Sequence, residues 1–167
     1  MTMPLWRPAY IGVGSNLDSP VEQVKQGIAS LAGLPRTEVA LTSGLYRSSP
    51  MGPKDQPDYI NVVAAIMTQL EPLDLLAKLQ EIELQQGRDR SAPRWGPRTL
   101  DLDLLAFSAV KMASSDLTLP HPGIAERNFV LLPWAEIAPH YRVPGLATVA
   151  ELAQSAAGEE PHIEKIE

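Results

Sequence analysis

Residues 100–105 read LDLDLL, and this alternation of leucine with aspartate constrains the fold more than any other feature of the chain. Successive side chains of a β-strand point to opposite faces, so Leu100, Leu102 and Leu104 share one face while Asp101 and Asp103 share the other. The pattern predicts a strand buried on one face, with two carboxylates roughly 6.6 Å apart along the other. Such a pair suits one or two hard cations such as Mg²⁺, and a wet strand face is the simpler alternative.

An arginine-rich segment leads directly into this strand. Arginines stand at four positions between 88 and 98, namely Arg88, Arg90, Arg94 and Arg98. The last of them lies at the strand entrance, where a guanidinium is placed to reach a phosphate held by a metal on the aspartates. The two features together predict a metal–phosphate site.

The order of the predicted elements is that of an α+β fold. Residues 9–13, 39–46, 59–70 and the aspartate segment carry β-branched, aromatic or alternating apolar residues, which predict strands. Apolar residues at helical spacing predict helices over 20–32 and 72–86, the second ending at Gly87. Strand, helix, strand, strand, helix, strand is the βαββαβ arrangement of a ferredoxin-like sandwich, with helices on one face of the sheet.

Further elements are predicted toward the C-terminus. Capping-box patterns begin at Ser19 and Thr148, and predict the starts of the first helix and of a helix after residue 148. A short helix is expected after the segment LTLPHPG. The residues after Gly158 are polar and are predicted to form a loosely held tail. We interpret residues 1–167 as one domain with these additional C-terminal elements.

Composition argues against several classes of function. The net charge of −6 disfavours a general nucleic-acid binder. No apolar run approaches the ~20 residues of a membrane span, and the N-terminus lacks a signal-peptide pattern. The chain has no cysteine, which fits a cytoplasmic protein, and no apolar interface is obvious, so we expect a monomer. The expected partners are therefore small molecules, with neither a nucleic acid nor a membrane.

Several residues outside the aspartate strand are typical of a small-molecule site. Tyr59 and Asn61 share a strand face, and a ring beside a side-chain amide suits a flat heterocycle, although a core tyrosine would explain the first. Glu83 lies in the last turn of a helix, where the helix dipole disfavours an anion. His121 lies in a rigid turn between prolines. The glycines at 12 and 14 do not form a dinucleotide fingerprint, and the chain has no P-loop motif.

Five ordered motifs resemble the family of 6-hydroxymethyl-7,8-dihydropterin pyrophosphokinase, across about residues 10–145. They are YIGVGSNL, SSPMGPKDQPDYIN, ELQQGR, RWGPRTLDLDLL and LPHPGIAERNFVLLPWAEIAP. The resemblance implies a ferredoxin-like fold and an ATP-dependent diphosphokinase of folate biosynthesis. Such an enzyme transfers pyrophosphate from MgATP to the hydroxymethyl group of the pterin and releases AMP.

The resemblance also implies roles for individual residues. Asp101 and Asp103 would hold two Mg²⁺ ions, and would form the catalytic group together with Arg88 and Arg98. The residues implied to bind ATP are Glu83, Arg88, Arg94, Arg98, Leu104, Thr118, His121 and Arg127, with Arg90 helping. Those implied to bind the pterin are Ser48, Pro50, Met51, Tyr59, Asn61, Trp95, Asp101 and Phe129. In that set Tyr59 and Phe129 would sandwich the ring.

Three positions depart from the commonest pattern of the family. Ser48 stands where threonine is expected, and Met51 where leucine is frequent. Asp116 stands where a basic residue helps to bind ATP in relatives, so weaker help from that loop is expected. Two other functions stay open at this point: a different metal-dependent nucleotide transferase on a ferredoxin-like sheet, and a non-catalytic ligand-binding domain.

Overall fold

A six-stranded antiparallel sheet forms the centre of the protein. The computed structural model describes residues 5–50, 55–87 and 99–167. The strands of the main sheet are β1 (Arg7–Ser15), β2 (Thr37–Thr42), β3 (Tyr46–Ser48), β4 (Tyr59–Thr68), β5 (Asp101–Phe107) and β8 (Ile163–Lys165). Strands β6 (Met112–Ala113) and β7 (Thr118–Leu119) pair separately. The helices are α1 (Pro20–Ala32), α2 (Pro72–Gln85), α3 (Asn128–Ile137) and α4 (Val149–Ala156), and a 3-10 turn covers Ile124–Glu126.

The strand order places β1 and β4 in the middle of the sheet. The hydrogen-bonded order is β5, β1, β4, β3, β8, and β2 also pairs with β4. Both central strands are almost wholly buried and rich in valine, isoleucine and alanine, as strands covered on two faces must be. The protein is therefore a mixed α/β structure built on an antiparallel sheet, as the sequence predicted.

Helices cover both faces of this sheet, with the two helices of the predicted βαββαβ arrangement on one face and the additional C-terminal helices on the other. Helices α1 and α2 pack on one face over a continuous apolar layer that includes Ile11, Leu79 and Leu102. Helices α3 and α4 pack on the other face, over a second layer that includes Tyr10 and Trp134. The apolar side chains of α3 contribute to this second layer, which was not part of the predicted βαββαβ arrangement.

Two predicted boundaries of the main sheet are corrected by the structure. The segment predicted as one strand over 39–46 forms two strands, because the regular strand conformation is interrupted between Thr42 and Tyr46. At the break, the backbone N–H of Val63 donates to the Ser43 hydroxyl, 3.0 Å away, in place of a regular ladder bond. The segment after Gly158, predicted as a loose tail, includes β8, which pairs with the edge of β3.

The helix starts agree with the predictions in position but only partly in mechanism. Helix α1 begins at Pro20 and α4 at Val149, as the capping patterns predicted. The capping box at Thr148 forms, with Glu151 as the reciprocal partner. The box predicted at Ser19 does not form, because that residue has a left-handed backbone with φ of 65° and makes no side-chain cap. None of the helices that the described residues form has the length and hydropathy needed to cross a lipid bilayer.

Candidate active site

The register of four strands brings predicted site residues into one row on the sheet. Asp101 of β5 lies opposite Gly14 of β1, Gly14 opposite Asn61 of β4, and Asn61 opposite Tyr46 of β3. Paired residues of an antiparallel sheet point to the same face, so the carboxylate and the amide rise from the sheet on either side of a glycine. This is the face that α3 covers in part. Because Gly14 has no side chain, no side chain of the row stands between Asp101 and Asn61, and this strip of sheet is here named the Gly14 floor.

The second aspartate lies one step along the same face. Asp103 pairs with Gly12, and its side chain keeps 40% of its surface exposed. Arg127 places Nη1 3.8 Å from Asp103 Oδ2, and its guanidinium lies 5.9 Å from the centre of the Phe129 ring. The structure therefore brings together Asp103, Arg127 and Phe129, which the sequence placed in the metal, ATP and pterin sites respectively.

A cleft of about 280 Å³ opens beside Asp103. Four predicted site residues contribute to its lining, namely Asp103, Leu104, Thr118 and His121. The turn that carries His121 is fixed to β5, since the His121 backbone N–H donates to the Leu105 carbonyl at 2.8 Å. Asp116, which departs from the family pattern, lies on the rim of the same cleft and is exposed. The cleft thus lies between strand β5 and the β6–β7 hairpin.

Glu83 is positioned by α2 to hold the aspartate strand. Only 7% of the residue is exposed, and its Oε2 accepts a hydrogen bond of 2.8 Å from the backbone N–H of Leu102. Among the strands of the described residues, β5 is the edge of the sheet on this side, so the acceptor satisfies an N–H that none of those strands pairs with. Because Leu102 stands between Asp101 and Asp103, this bond fixes the backbone that carries both carboxylates.

Asn61 is fixed in place by the neighbouring strand. Its Nδ2 donates to the Ser48 hydroxyl at 2.8 Å and to the Tyr46 carbonyl at 3.4 Å. Its Oδ1 lies toward Gly14, 3.5 Å from where a Cβ on that glycine would stand, and Tyr59 Cδ1 lies 3.8 Å from the same point. The amide therefore presents its oxygen toward the Gly14 floor, with the half-buried Tyr59 ring alongside.

One residue with a role at this site was not predicted from the sequence. Asn16, in the turn after β1, is buried, and its Nδ2 donates to Gln56 Oε1 and to the Pro57 carbonyl, both at 2.9 Å. It holds the end of the proline-containing loop that leads into Tyr59. The motif YIGVGSNL contains this residue, but the sequence shows no sign that its partner lies 40 positions away.

Several predicted site residues lie outside the described part of the chain. They are Met51, Arg88, Arg90, Arg94, Trp95 and Arg98. The predicted Pro50 and Ser48 are described and buried, and both precede the gap at 51–54. Within the described ranges, no group of three or more histidine, aspartate or glutamate side chains is placed to hold a metal. The aspartate pair matches a different donor set, since Mg²⁺ often takes one or two carboxylates and completes its shell with water and substrate phosphate.

Comparison with known proteins gives the family. The family model described as 7,8-dihydro-6-hydroxymethylpterin-pyrophosphokinase matches residues 10–139. The chain belongs to this family. A 2-amino-4-hydroxy-6-hydroxymethyldihydropteridine pyrophosphokinase from Haemophilus influenzae is 46% identical over 149 residues, which cover 89% of this chain and 92% of that protein. The protein of the same name from Pseudomonas aeruginosa is 48% identical over 143 residues, covering 86% and 88%.

Solved structures support the fold of this pyrophosphokinase. A triple-mutant HPPK-DHPS of Plasmodium falciparum superposes with a TM-score of 0.72 at 13% sequence identity, covering 90% of this chain. This chain spans 43% of the length of that one. At this identity the likeness concerns the fold alone. The resemblance stated from the five motifs is confirmed.

Proposed function

We propose that this pyrophosphokinase transfers pyrophosphate from ATP to the hydroxymethyl group of 6-hydroxymethyl-7,8-dihydropterin, giving AMP and the pterin pyrophosphate, in folate biosynthesis. The observation that carries the proposal is the row Asp101, Gly14, Asn61, in which a carboxylate and a fixed amide stand on either side of a glycine. The Gly14 floor of that row suits the pterin, and the cleft beside Asp103 suits ATP. Strand β5 connects the two places, because Asp101 belongs to the row and Asp103 lines the cleft.

The pterin is assigned to the floor over Gly14. Two strand spacings separate Asp101 from Asn61, about 10 Å, which leaves room for a flat bicyclic ring. Asn61 Oδ1 is the acceptor for ring N–H groups, since Asn61 Nδ2 already donates to the Ser48 hydroxyl and to the Tyr46 carbonyl. Tyr59 and Phe129 supply the aromatic surfaces, as both are half-buried on this side of the sheet. Pro50, Met51 and Trp95 stay predicted pterin contacts.

ATP is assigned to the cleft beside Asp103. Leu104 gives apolar surface, and Thr118 and His121 give polar groups, which is the usual composition of a nucleotide pocket. Arg127 provides a cation next to Asp103, where phosphate oxygens gather. Arg88, Arg94 and Arg98, with help from Arg90, stay predicted phosphate ligands. Glu83 stays a predicted ATP contact, and its hydrogen bond to Leu102 also positions the strand that carries both aspartates.

Asp101 and Asp103 suit Mg²⁺, and two ions remain the predicted number. When bound, Mg²⁺ would neutralise the phosphate charge and lower the electrostatic repulsion between the phosphate oxygens and the alcohol oxygen that attacks. The chain's own contribution is orientation. Asp101 lies at the pterin end and Asp103 at the ATP end of one strand, so the hydroxymethyl group of a pterin on the floor points toward the phosphates in the cleft.

The sheet order supports a finer description of the fold. Strands β5, β1, β4 and β2 lie side by side in that order, with α1 and α2 on one face, and this is the order of a ferredoxin-like sandwich. Strands β3 and β8 and helices α3 and α4 are additions to it. A monomer located in the cytoplasm stays a prediction from the sequence.

Product analysis tests the proposal. With ATP, Mg²⁺ and the hydroxymethylpterin together, we expect AMP and the pterin pyrophosphate in equal amounts, and no AMP when the pterin is omitted. Free pyrophosphate with a nucleotide attached to the acceptor would instead identify a nucleotidyltransferase. Binding of an ATP analogue without any turnover would identify a non-catalytic ligand-binding domain.

A further inference from the structure

The last residues of the chain run along the edge of β3 and its flanks. In β8, Ile163 lies opposite Ser48 and Lys165 opposite Tyr46. The pairing continues beyond both strands, since the Ser49 N–H donates to the His162 carbonyl at 3.2 Å and the Ile166 N–H to the Leu45 carbonyl at 2.8 Å. Residues 159–167, here named the C-terminal clamp, therefore hold the chain from just before β3 to the start of the loop that follows it.

Helix α3 holds the same clamp at its upstream end. Asn128, the first residue of α3, is 1% exposed and donates from Nδ2 to the carbonyls of Glu159 at 2.9 Å and Pro161 at 2.8 Å. A buried amide that makes two bonds to one backbone segment fixes that segment closely. Asn128 stands between Arg127 and Phe129 in sequence, so the anchor belongs to the part of α3 that faces the site.

A second anchor joins α3 to the downstream end of the clamp. Glu136 accepts hydrogen bonds from Tyr46 Oη at 2.8 Å and from the Gly44 backbone N–H at 3.0 Å, and it pairs with Lys165 Nζ at 3.1 Å. Burial, with the hydrogen bond to Glu136, raises the pKa of Tyr46 to about 12. The phenol therefore stays protonated and keeps donating throughout the physiological pH range. The clamp is thus fastened to one helix at two points, 128 and 136.

These contacts connect the two sides of the proposed pterin site. One side is β3, whose Ser48 hydroxyl fixes the Asn61 amide. The other side is the start of α3, which carries Phe129. The clamp bonds to both, at Ser49 and at Asn128. None of its residues is assigned a substrate contact.

We propose that the C-terminal clamp is a positioning element that sets the separation of the β3 side and the α3 side of the site, and with it the affinity for the flat heterocycle. The proposal rests on the proposed function for the identity of that heterocycle. A ligand held between two surfaces binds best when their separation is fixed in advance, because less ordering is left to complete on binding. The clamp acts on the pterin and leaves the ATP cleft, which is built by β5 to β7, unaffected.

Two variants loosen the clamp at opposite ends without touching a proposed substrate contact. Asn128→Ala removes both bonds to its upstream end. Gly44→Ala displaces its downstream end, since an added Cβ would stand 2.2 Å from the Glu167 carbonyl oxygen and 2.7 Å from Lys165 Cε. For each variant we expect the Kd of the hydroxymethylpterin, and its KM, to rise about 10-fold, the change that ~1.4 kcal/mol produces. The Kd of a non-hydrolysable ATP analogue stays within about twofold.

Two control variants separate positioning from general loss of stability. Glu164→Gln breaks the exposed ion pair with Arg47 on the clamp itself, at 3.2 Å, but neither anchor to α3. Thr148→Ala removes the capping box of α4 and lowers stability away from the clamp. Both are expected to bind the pterin as the wild type does. A rise in pterin Kd in Thr148→Ala equal to that in Asn128→Ala would overturn the proposal.

Hydrogen exchange of the wild-type protein gives a test that does not depend on how the variants fold. If the pterin binds only when the clamp is in place, the pterin slows exchange at the amides of Ser49 and Ile166, by about 100-fold at 100 times its Kd. The ATP analogue leaves both rates unchanged. Pterin binding with no slowing at these amides, or with an unchanged Kd in folded variants, would overturn the positioning role alone. Failure of the wild type to bind the pterin would overturn the proposed function and this inference together.

Discussion

The two faces of the central sheet are built from the same strands but differ in what they leave open. On the face under α1 and α2, Ile11, Val13 and Leu102 are at most 5% exposed and the apolar layer is continuous. On the opposite face, α3 and α4 cover one part, and the remainder carries Asp101 and Asn61 beside a bare glycine. We name the first the closed face and the second the open face, and we propose that the open face carries the residues of the pterin site and the two carboxylates of β5.

The difference shows how one strand contributes to both faces. Along β5, Leu102 and Leu104 enter the closed face while Asp101 and Asp103 rise on the open one, because side chains alternate. A shift of register by one residue would bury both carboxylates and expose both leucines. Packing on the closed face therefore fixes the position of the charges on the open face.

The largest effect is expected from removing a charge on the open face. Asp103→Asn keeps the size of the side chain but loses the carboxylate that lines the cleft and faces Arg127. We expect pterin-dependent AMP release to fall at least about 100-fold, as for the loss of one strong electrostatic contact at a reaction centre. The thermal midpoint should stay near that of the wild type, since the residue is half-exposed.

Asp116→Asn is the matched control for this substitution. It removes a carboxylate from the rim of the same cleft, where the side chain is exposed and no role in holding the phosphates is assigned. AMP release should change by no more than about threefold, the range of a weak surface charge effect. Equal losses in the two variants would mean that overall charge, and not the aspartate pair on β5, controls the rate.

The next effect concerns the floor between the two ends of the row. In Gly14→Ala the new methyl group stands at ordinary contact distance, 3.5 Å from Asn61 Oδ1, so the fold accepts it. It occupies the space assigned to the pterin, and kcat/KM for the pterin should fall roughly 10- to 100-fold. Gly33→Ala, at the end of α1 on the closed face, should leave this parameter unchanged. Normal pterin kinetics in Gly14→Ala would remove the pterin from this floor.

The sequence was sufficient to predict which side chains share a face wherever the alternation along one strand decides it. The alternation in LDLDLL gave Asp101 and Asp103 their common face, and the spacing of Tyr59 and Asn61 gave theirs. The sequence did not show that Gly14 lies between the two pairs. That position depends on the pairing of β1 with both β4 and β5, which is a feature of the tertiary structure. Strand neighbours are not encoded in the local pattern of any one strand.

Helix α2 of the closed face also holds the edge strand β5, and Glu83 tests this link. In Glu83→Ala the N–H of Leu102 loses its acceptor in a buried position, which should cost about 1–3 kcal/mol of unfolding free energy. Turnover should fall as well, since both aspartates are on that backbone. Glu81→Ala, on the same helix, breaks only an exposed pair with Lys78 and should cost less than about 0.5 kcal/mol. Denaturant titration with activity measurements compares the two, and equal stabilities would refute the positioning role.

The smallest effect compares the helix starts on the two faces. Thr148→Ala should lower the unfolding free energy by about 1 kcal/mol, because the formed box of α4 is lost. Ser19→Ala should change it by less than about 0.5 kcal/mol, since that side chain caps nothing in α1. Denaturant midpoints measure both, and a larger loss at Ser19 would contradict the backbone conformation found there.

The features that the sequence did not predict depend on distant partners. Strand β8 is short and polar, and it forms because the edge of β3 and the buried Asn128 receive it. The turn residue Asn16 acquires its role from Gln56 and Pro57 across the sheet end. The Ser19 pattern matched a capping box, but the box needs an extended N-cap backbone, and that residue is left-handed. Local patterns give elements and faces, whereas long-range pairing decides which faces meet.

Paramagnetic broadening is the most direct test of the claim that the carboxylates of β5 bind the metal between the two substrates. Mn²⁺ would replace Mg²⁺ with a non-hydrolysable ATP analogue, and relaxation would be measured at backbone amides in a two-dimensional NMR spectrum. We predict the strongest broadening at Gly12, Gly14 and Asp103, little at Val24 and Leu31 of the closed-face helix α1, and loss of the effect in Asp103→Asn. Broadening centred on α1, or unchanged by that substitution, would contradict the account.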